Sequence, residues 1–134
     1  MLRSIVAVVV GFMVIGALAF GTDAVLKSTI PQSFGPDGAV SDVGLLLVMQ
    51  LYVFAYATFG CWLTARLAPS RPMRHALVLG VLGLAFNVAG TVAMWHTAPA
   101  WYHVLALALV MPAAWLGGWI RERQLAGGGA LAAA

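Results

Sequence analysis

Charged residues are scarce in this sequence. Only 8% of the 134 residues are Asp, Glu, Lys or Arg, and only 4 of these are acidic. A water-soluble domain has about 25% charged residues. It also cannot bury an apolar fraction as large as the 63% found here. The scarcity of charge therefore excludes a soluble fold and predicts that the chain lies in a lipid bilayer.

Cysteine and acidic residues are too few for several kinds of chemistry. The single cysteine, Cys61, lies in an apolar segment and forms neither a disulfide framework nor a paired-cysteine metal site. The sequence contains no Walker loop, dinucleotide-binding fingerprint, HExxH or CxxC motif. With 4 acidic side chains, a paired-carboxylate mechanism has few candidates. We therefore expect a non-enzymatic protein that uses no cofactor.

Four apolar segments are each long enough to cross the hydrocarbon core of a bilayer. We predict an all-α membrane protein whose four transmembrane helices form an antiparallel bundle. The predicted spans are residues 4–26, 43–65, 76–95 and 101–120. Ser41 is the expected N-cap of the second span. The spans form one domain, 1–126, and the Gly- and Ala-rich residues 127–134 are predicted to be a flexible tail.

The first segment has an alternative interpretation as a cleaved secretory signal peptide. Arg3 would then be its basic start, and Ala17-Leu18-Ala19 its small-residue cleavage site. Because the apolar sequence continues through Phe20 and no strongly polar region precedes the cleavage site, we favour a retained span. The other spans keep the same orientation in either case.

The basic residues predict the orientation of the chain. Of the 7 Lys and Arg residues, six fall on one side of the membrane in the predicted arrangement, and only Lys27 falls on the other. The positive-inside rule therefore places both termini in the cytoplasm, in the plasma (inner) membrane of a bacterial-type cell. Since the basic residues lie at span ends and form no basic face, the net charge of +3 does not indicate nucleic-acid binding. The residues on the cytoplasmic side are Arg3, Arg66, Arg71, Arg74, Arg121 and Arg123.

Small residues form a stripe along one face of the third span. Its members follow at steps of four and three residues: Ala76, Gly80, Gly83, Asn87, Gly90 and Met94. Glycine lets helix backbones approach closely, and an amide is costly in lipid, so we expect the stripe from Gly80 to Gly90 to face another helix. Asn87 is expected to hydrogen-bond across that contact. The partner is either a second copy of the chain or the fourth span, through Ala106, Ala113 and Gly117.

Asp23, His96 and His103 are predicted to lie at the same outer surface. A carboxylate and two imidazoles suit copper or zinc, or a proton relay, although the sequence leaves the metal unknown. The histidine spacing is not a known ligand motif, so the alternative is that these are ordinary interfacial residues. Asp23 also precedes Lys27 by four residues, and we favour a surface ion pair over an Asp that titrates in a pocket.

The sequence supports two main classes of function. We expect a small integral membrane protein that either assembles with copies of itself or serves as an accessory subunit of a membrane complex. Its partners would then be bilayer lipid, further copies or other membrane subunits. The alternative is a small transporter or channel with a polar path near Gln50, Asn87 and Thr91. Because only the third span has a polar stripe, the sequence favours helix packing over conduction.

Overall fold

The protein is all-helical in the computed structural model, which describes residues 2–132 and the side chains of residues 2–127. The four long helices are α1 (Leu2–Thr29), α2 (Val43–Leu67), α3 (Pro72–Ala93) and α4 (Ala100–Ala132). Two short 3-10 helices, Pro31–Ser33 and Trp95–Thr97, lie in the connections before α2 and before α4.

Each of the four helices is long and apolar enough to cross a membrane. This finding confirms the prediction of four candidate spans, and it identifies a membrane protein by the length and composition of its helices. The fourth helix continues beyond the predicted end of its span at Ile120 and remains helical to Ala132. The flexibility of residues 127–134 stays a prediction, and residues 133 and 134 lie outside the described part of the chain.

A polar side chain starts α2, and a proline starts α3. The Oδ1 atom of Asp42 accepts a hydrogen bond from the Leu45 backbone nitrogen at 2.7 Å, so Asp42 is the N-cap of α2. The sequence-based choice of Ser41 was one residue too early. Pro72 is the first residue of α3, a position where its missing N–H leaves no hydrogen bond unmade.

Glycines bring the helices into close contact at one end of the bundle, which we call the closed end. A Cβ atom added at Gly11 of α1 would lie 2.8 Å from the backbone oxygen of Gly60 on α2. One added at Gly117 of α4 would lie 2.5 Å from the backbone oxygen of Thr58 on α2. Only glycine permits approaches this close, because any larger residue would push the two backbones apart.

Small side chains fill the core of the closed end. The buried cluster consists of Cys61, Ala65, Ala76, Leu79 and Ala114, contributed by α2, α3 and α4. Thr64 is fully buried beside it, and its hydroxyl donates a hydrogen bond to the backbone oxygen of Ala7 at 3.1 Å. This bond satisfies the hydroxyl and ties α2 to α1 at the tightly packed closed end.

The stripe on α3 is packed along only half of its length. A Cβ atom added at Gly80 would lie 2.5 Å from the Ala114 Cβ on α4, and one added at Gly83 would lie 3.8 Å from Val110. At Gly90, however, an added Cβ would meet no atom within 4 Å. The close contact between α3 and α4 therefore ends near Gly83, and the rest of the stripe borders open space.

The contact between α3 and α4 makes Gly80→Ala and Gly83→Ala a matched pair. Alanine gains about 1 kcal/mol of helix propensity at either position. At Gly80 the new methyl group also collides with the Ala114 Cβ, and overpacking of this kind costs about 1–3 kcal/mol. We expect Gly80→Ala to have the lower free energy of unfolding in SDS titrations of the detergent-solubilised protein. Equal stabilities would show that α3 does not pack on α4 at Gly80.

Candidate binding cavity

The helices enclose two adjoining cavities towards the opposite end of the bundle, which we call the open end. The inner cavity has a volume of about 380 Å³ and the outer cavity about 290 Å³. Ligand pockets in proteins occupy roughly 300–1,000 Å³. Gln50, Val53, Asn87 and Ala106 line both cavities. The two cavities therefore adjoin each other at these four residues, and together they are large enough for a small molecule.

The inner cavity is apolar and is walled by all four helices. Its lining includes Phe12, Ile15, Phe54, Leu79, Leu109 and Val110. Ala113, which the sequence assigned to helix packing, is buried and lines this cavity as well. Gly117, the other predicted contact on α4, instead packs against α2.

The inner cavity opens sideways between α1 and α3. Phe20 and Phe86 line it, yet 78% and 63% of their surfaces are exposed, so both stand at its rim. Gly16 of α1 also lines the cavity, and a Cβ atom added there would meet nothing within 4 Å. Nearer the closed end, the rings of Phe12 and Phe86 contact each other with centroids 4.9 Å apart. When these helices cross a bilayer, the opening faces lipid.

The outer cavity has polar side chains from every helix. They are Asp23 and Lys27 from α1, Gln50 from α2, Asn87 and Thr91 from α3, and Tyr102 and His103 from α4. The connections form part of its wall: the Val40 backbone nitrogen donates to the Thr97 backbone oxygen at 2.8 Å, which joins the two loops of the open end, and both residues line the cavity. Each helix contributes only one or two of these polar residues, so no helix shows a long polar stripe.

Asp23 lies in the wall of the outer cavity and is partly buried there. Its carboxylate accepts a hydrogen bond from the Tyr52 hydroxyl of α2. The Lys27 ammonium instead lies 5.8 Å from the centroid of the Phe34 ring, within the range of a cation–π contact. Asp23 therefore lies in a pocket and bonds to Tyr52, whereas the sequence favoured a surface ion pair with Lys27.

His103 is held in place by aromatic neighbours. It is only 6% exposed, and its ring stacks on Trp95 with the centroids 5.1 Å apart. Its Nε2 atom lies 3.3 Å from the Trp95 backbone oxygen. Because a carbonyl oxygen only accepts, Nε2 is the donor, and in the neutral ring Nδ1 is then an acceptor. The buried His103 is thus a fixed polar group at the outer cavity.

The three residues of the predicted metal site do not share one cavity. Asp23 and His103 line the outer cavity, whereas the exposed His96 lines a separate depression beside Pro99. Within residues 2–132, no group of three His, Cys, Asp or Glu side chains is arranged to hold a metal ion. The structure therefore brings two of the three residues together and separates the third.

Gln50 and Asn87 lie at the boundary between the two cavities. Gln50 is only 6% exposed, although it is polar, and Asn87 is partly buried. Neither amide has a hydrogen-bond partner among the described residues, so the cross-helix bond expected for Asn87 is not formed within the chain. Among the described residues, no side-chain nitrogen or oxygen that is shielded from solvent lacks a hydrogen-bond partner, so both amides reach the open space of the cavity. There they are available to hydrogen-bond water or another molecule.

Hydrogen bonds from two tyrosines tie α1 to α2 at the open end. Tyr52 bonds to Asp23, and the Tyr56 hydroxyl lies 3.0 Å from that of Thr22. Sequence reasoning missed these pairs, although two tyrosines one turn apart on α2 and two adjacent polar residues on α1 are visible signals. No known protein family, curated protein or solved structure matches this chain. The interpretation of the site therefore depends on its own geometry.

The two tyrosines allow a test of the bond to Asp23. A hydrogen bond to a charged group contributes about 1.5–3 kcal/mol, whereas a neutral one between membrane helices averages about 0.6 kcal/mol. We expect Tyr52→Phe to lower the free energy of unfolding in detergent more than Tyr56→Phe does. An equal or smaller loss for Tyr52→Phe would mean that the bond to Asp23 does not stabilise the open end.

Proposed function

We propose that this protein is a small, non-enzymatic membrane carrier that binds a small molecule between its four helices. The observation that supports this proposal best is the position of Gln50 and Asn87. Their amides have no partner among the described residues and lie where an apolar cavity meets one with polar side chains in its wall, so a bound molecule could hydrogen-bond to them in place of water. The transporter class, with its path near Gln50, Asn87 and Thr91, is thereby preferred over a purely structural role.

A carrier fits this arrangement better than an open channel does. A channel needs a continuous path, but the space ends at the closed end, where Leu79 and Thr64 are fully buried and helices touch at their glycines. A site that is accessible from one end and sealed at the other is what one state of an alternating-access carrier requires. The packed glycine contacts would then have to separate in the other state.

We also propose an antiparallel bundle in which both termini are cytoplasmic. The uneven distribution of Lys and Arg supports this orientation. Two pairs of contacts support the antiparallel order: Ala7 bonds to Thr64 while Thr22 bonds to Tyr56, and Gly80 meets Ala114 while Gly83 meets Val110. The open end would then face the outside of a bacterial-type plasma membrane.

The expectation of a self-assembling protein or an accessory subunit stays a prediction. Exposed apolar side chains of α1, such as Val9 and Met13, would be covered equally well by lipid or by another subunit. A carrier of this size is compatible with a homo-oligomer, because the cavity lies within one chain and its walls need no second copy. We propose lipid as the constant partner and no nucleic acid.

Labelling of single cysteines tests the proposed cavity. In a Cys61→Ala background, Asn87→Cys would place a thiol in the cavity, and Ala85→Cys would place one on the exposed, lipid-facing side of the same helix. Maleimides react with the thiolate, which forms in water and not in lipid. We expect a membrane-impermeant maleimide added outside intact cells to label Asn87→Cys and not Ala85→Cys.

Two glycine variants serve as matched controls for this labelling. Gly90 lines the outer cavity and Gly21 lines neither cavity, yet an added Cβ meets no atom within 4 Å at either position. Gly90→Leu should therefore fill the cavity and suppress labelling of Asn87→Cys, and Gly21→Leu should leave it unchanged. An unreactive Asn87→Cys, or equal labelling of both cysteines, would contradict the proposed function.

A further inference from the structure

The polarity of the two cavities indicates the kind of molecule that they bind. We propose that the ligand is a single-chain amphiphile with a positively charged head group, a proposal that rests on the proposed function. Its head group would lie beside Asp23 in the outer cavity, and its alkyl chain would fill the inner cavity.

The inner cavity suits one alkyl chain. Its walls are aromatic and aliphatic, so a polar group placed there would lose its hydrogen bonds to water. At roughly 30 Å³ for a water-sized group, its volume of about 380 Å³ holds about a dozen such groups. That is the size of one alkyl chain of about ten to twelve carbons, and it is too small for the two chains of a membrane lipid.

The amides of Gln50 and Asn87 mark the junction between chain and head group. Each amide has two donor hydrogens and an acceptor oxygen. Both side chains line both cavities, and Gln50 is 94% buried, given its exposure of 6%. They are therefore positioned to hydrogen-bond a hydroxyl, ester or amide at the point where an alkyl chain meets a polar head.

The outer cavity favours a cationic head group. Asp23 is its only acidic side chain, and the bond from Tyr52 occupies one of about four lone-pair positions on the carboxylate. The rest remain available to an ammonium group, and the aromatic side chain of Tyr102 lines the same cavity. Lys27 also lines this cavity, but its ammonium group lies over the Phe34 ring, 5.8 Å from the ring centroid, so the Asp23 carboxylate is left for a cationic head group.

The opening between α1 and α3 gives such a molecule a route from the bilayer. Gly16 lines the inner cavity and Gly90 the outer cavity, an added Cβ would meet no atom within 4 Å at either, and the exposed Phe20 and Phe86 border the opening. An amphiphile in the outer leaflet has its head group at the surface and its chain towards the midplane. The two cavities have the same order, so the molecule can enter sideways without turning over.

Three dodecyl probes that differ only in the head group test this proposal. The full-length protein is placed in nanodiscs of zwitterionic lipid, and equilibrium binding of radiolabelled dodecyltrimethylammonium is measured against empty nanodiscs. Dodecyl sulfate and dodecyl maltoside serve as competitors. We expect unlabelled dodecyltrimethylammonium to compete at least about tenfold better than either, because its head group carries the charge that Asp23 attracts.

A matched pair of variants identifies the carboxylate responsible. Asp23→Asn keeps an acceptor for the Tyr52 hydroxyl but removes the charge, and should weaken binding of the cationic probe by about tenfold or more. Asp42→Asn removes a charge at the same end of the bundle, outside both cavities, and asparagine is an equally good N-cap. It should leave binding unchanged.

The possible failures separate the two proposals. If all three probes compete equally, or if Asp23→Asn binds the cationic probe like the wild type, the inference about the head group is wrong and the cavity remains. If no dodecyl probe binds above empty nanodiscs while Asn87→Cys is still labelled by maleimide, the amphiphile proposal is wrong and the proposed function remains. If probe binding and labelling are both absent, both proposals are wrong.

Discussion

The structure depends on the contact of helix backbones at glycines in the closed end. Where Gly11 meets Gly60 and Gly117 meets Thr58, a Cβ atom on Gly11 or Gly117 would collide with the backbone of α2, and the close approach forms dispersion contacts that lipid chains would make less well. Three helices are joined in this way by glycines, whose role at these contacts is their small size. Because these contacts hold α1, α2 and α4 together at one end, the helices can stand apart at the other without loss of the fold.

In membrane-spanning helices, each polar side chain needs a hydrogen-bond partner, and at the open end some polar side chains have one within the protein and others do not. A side chain such as that of Asp23 or Thr22 needs a partner, and the two tyrosines of α2 supply one for each. His103 has its partner in the Trp95 backbone oxygen. Gln50 and Asn87 differ from these residues, because the described part of the chain offers them none. The polar residues with partners in the protein stabilise the bundle, whereas Gln50 and Asn87 are the residues that we propose bind a ligand.

The sequence predicts the four helices well because length and apolar content are local properties. It does not predict the cavities, because their walls depend on the rotation of each helix about its axis. Gly80 and Gly90 illustrate this limit: they lie on one predicted face, yet Gly80 packs on α4 and Gly90 borders open space. The polar lining was missed for a related reason. Asp23, Gln50 and His103 each stand nearly alone on their helix and meet only in the folded bundle.

The most direct test of the account is an experimental structure of the protein in lipid nanodiscs. We predict that α1 and α3 stand apart from the Phe12–Phe86 contact towards the open end, while the glycine contacts of the closed end persist. We also predict elongated density that runs from the inner cavity past Gln50 and Asn87 towards Asp23. Helices packed together along their whole length, with the two amides bonded to a neighbouring helix, would contradict the account.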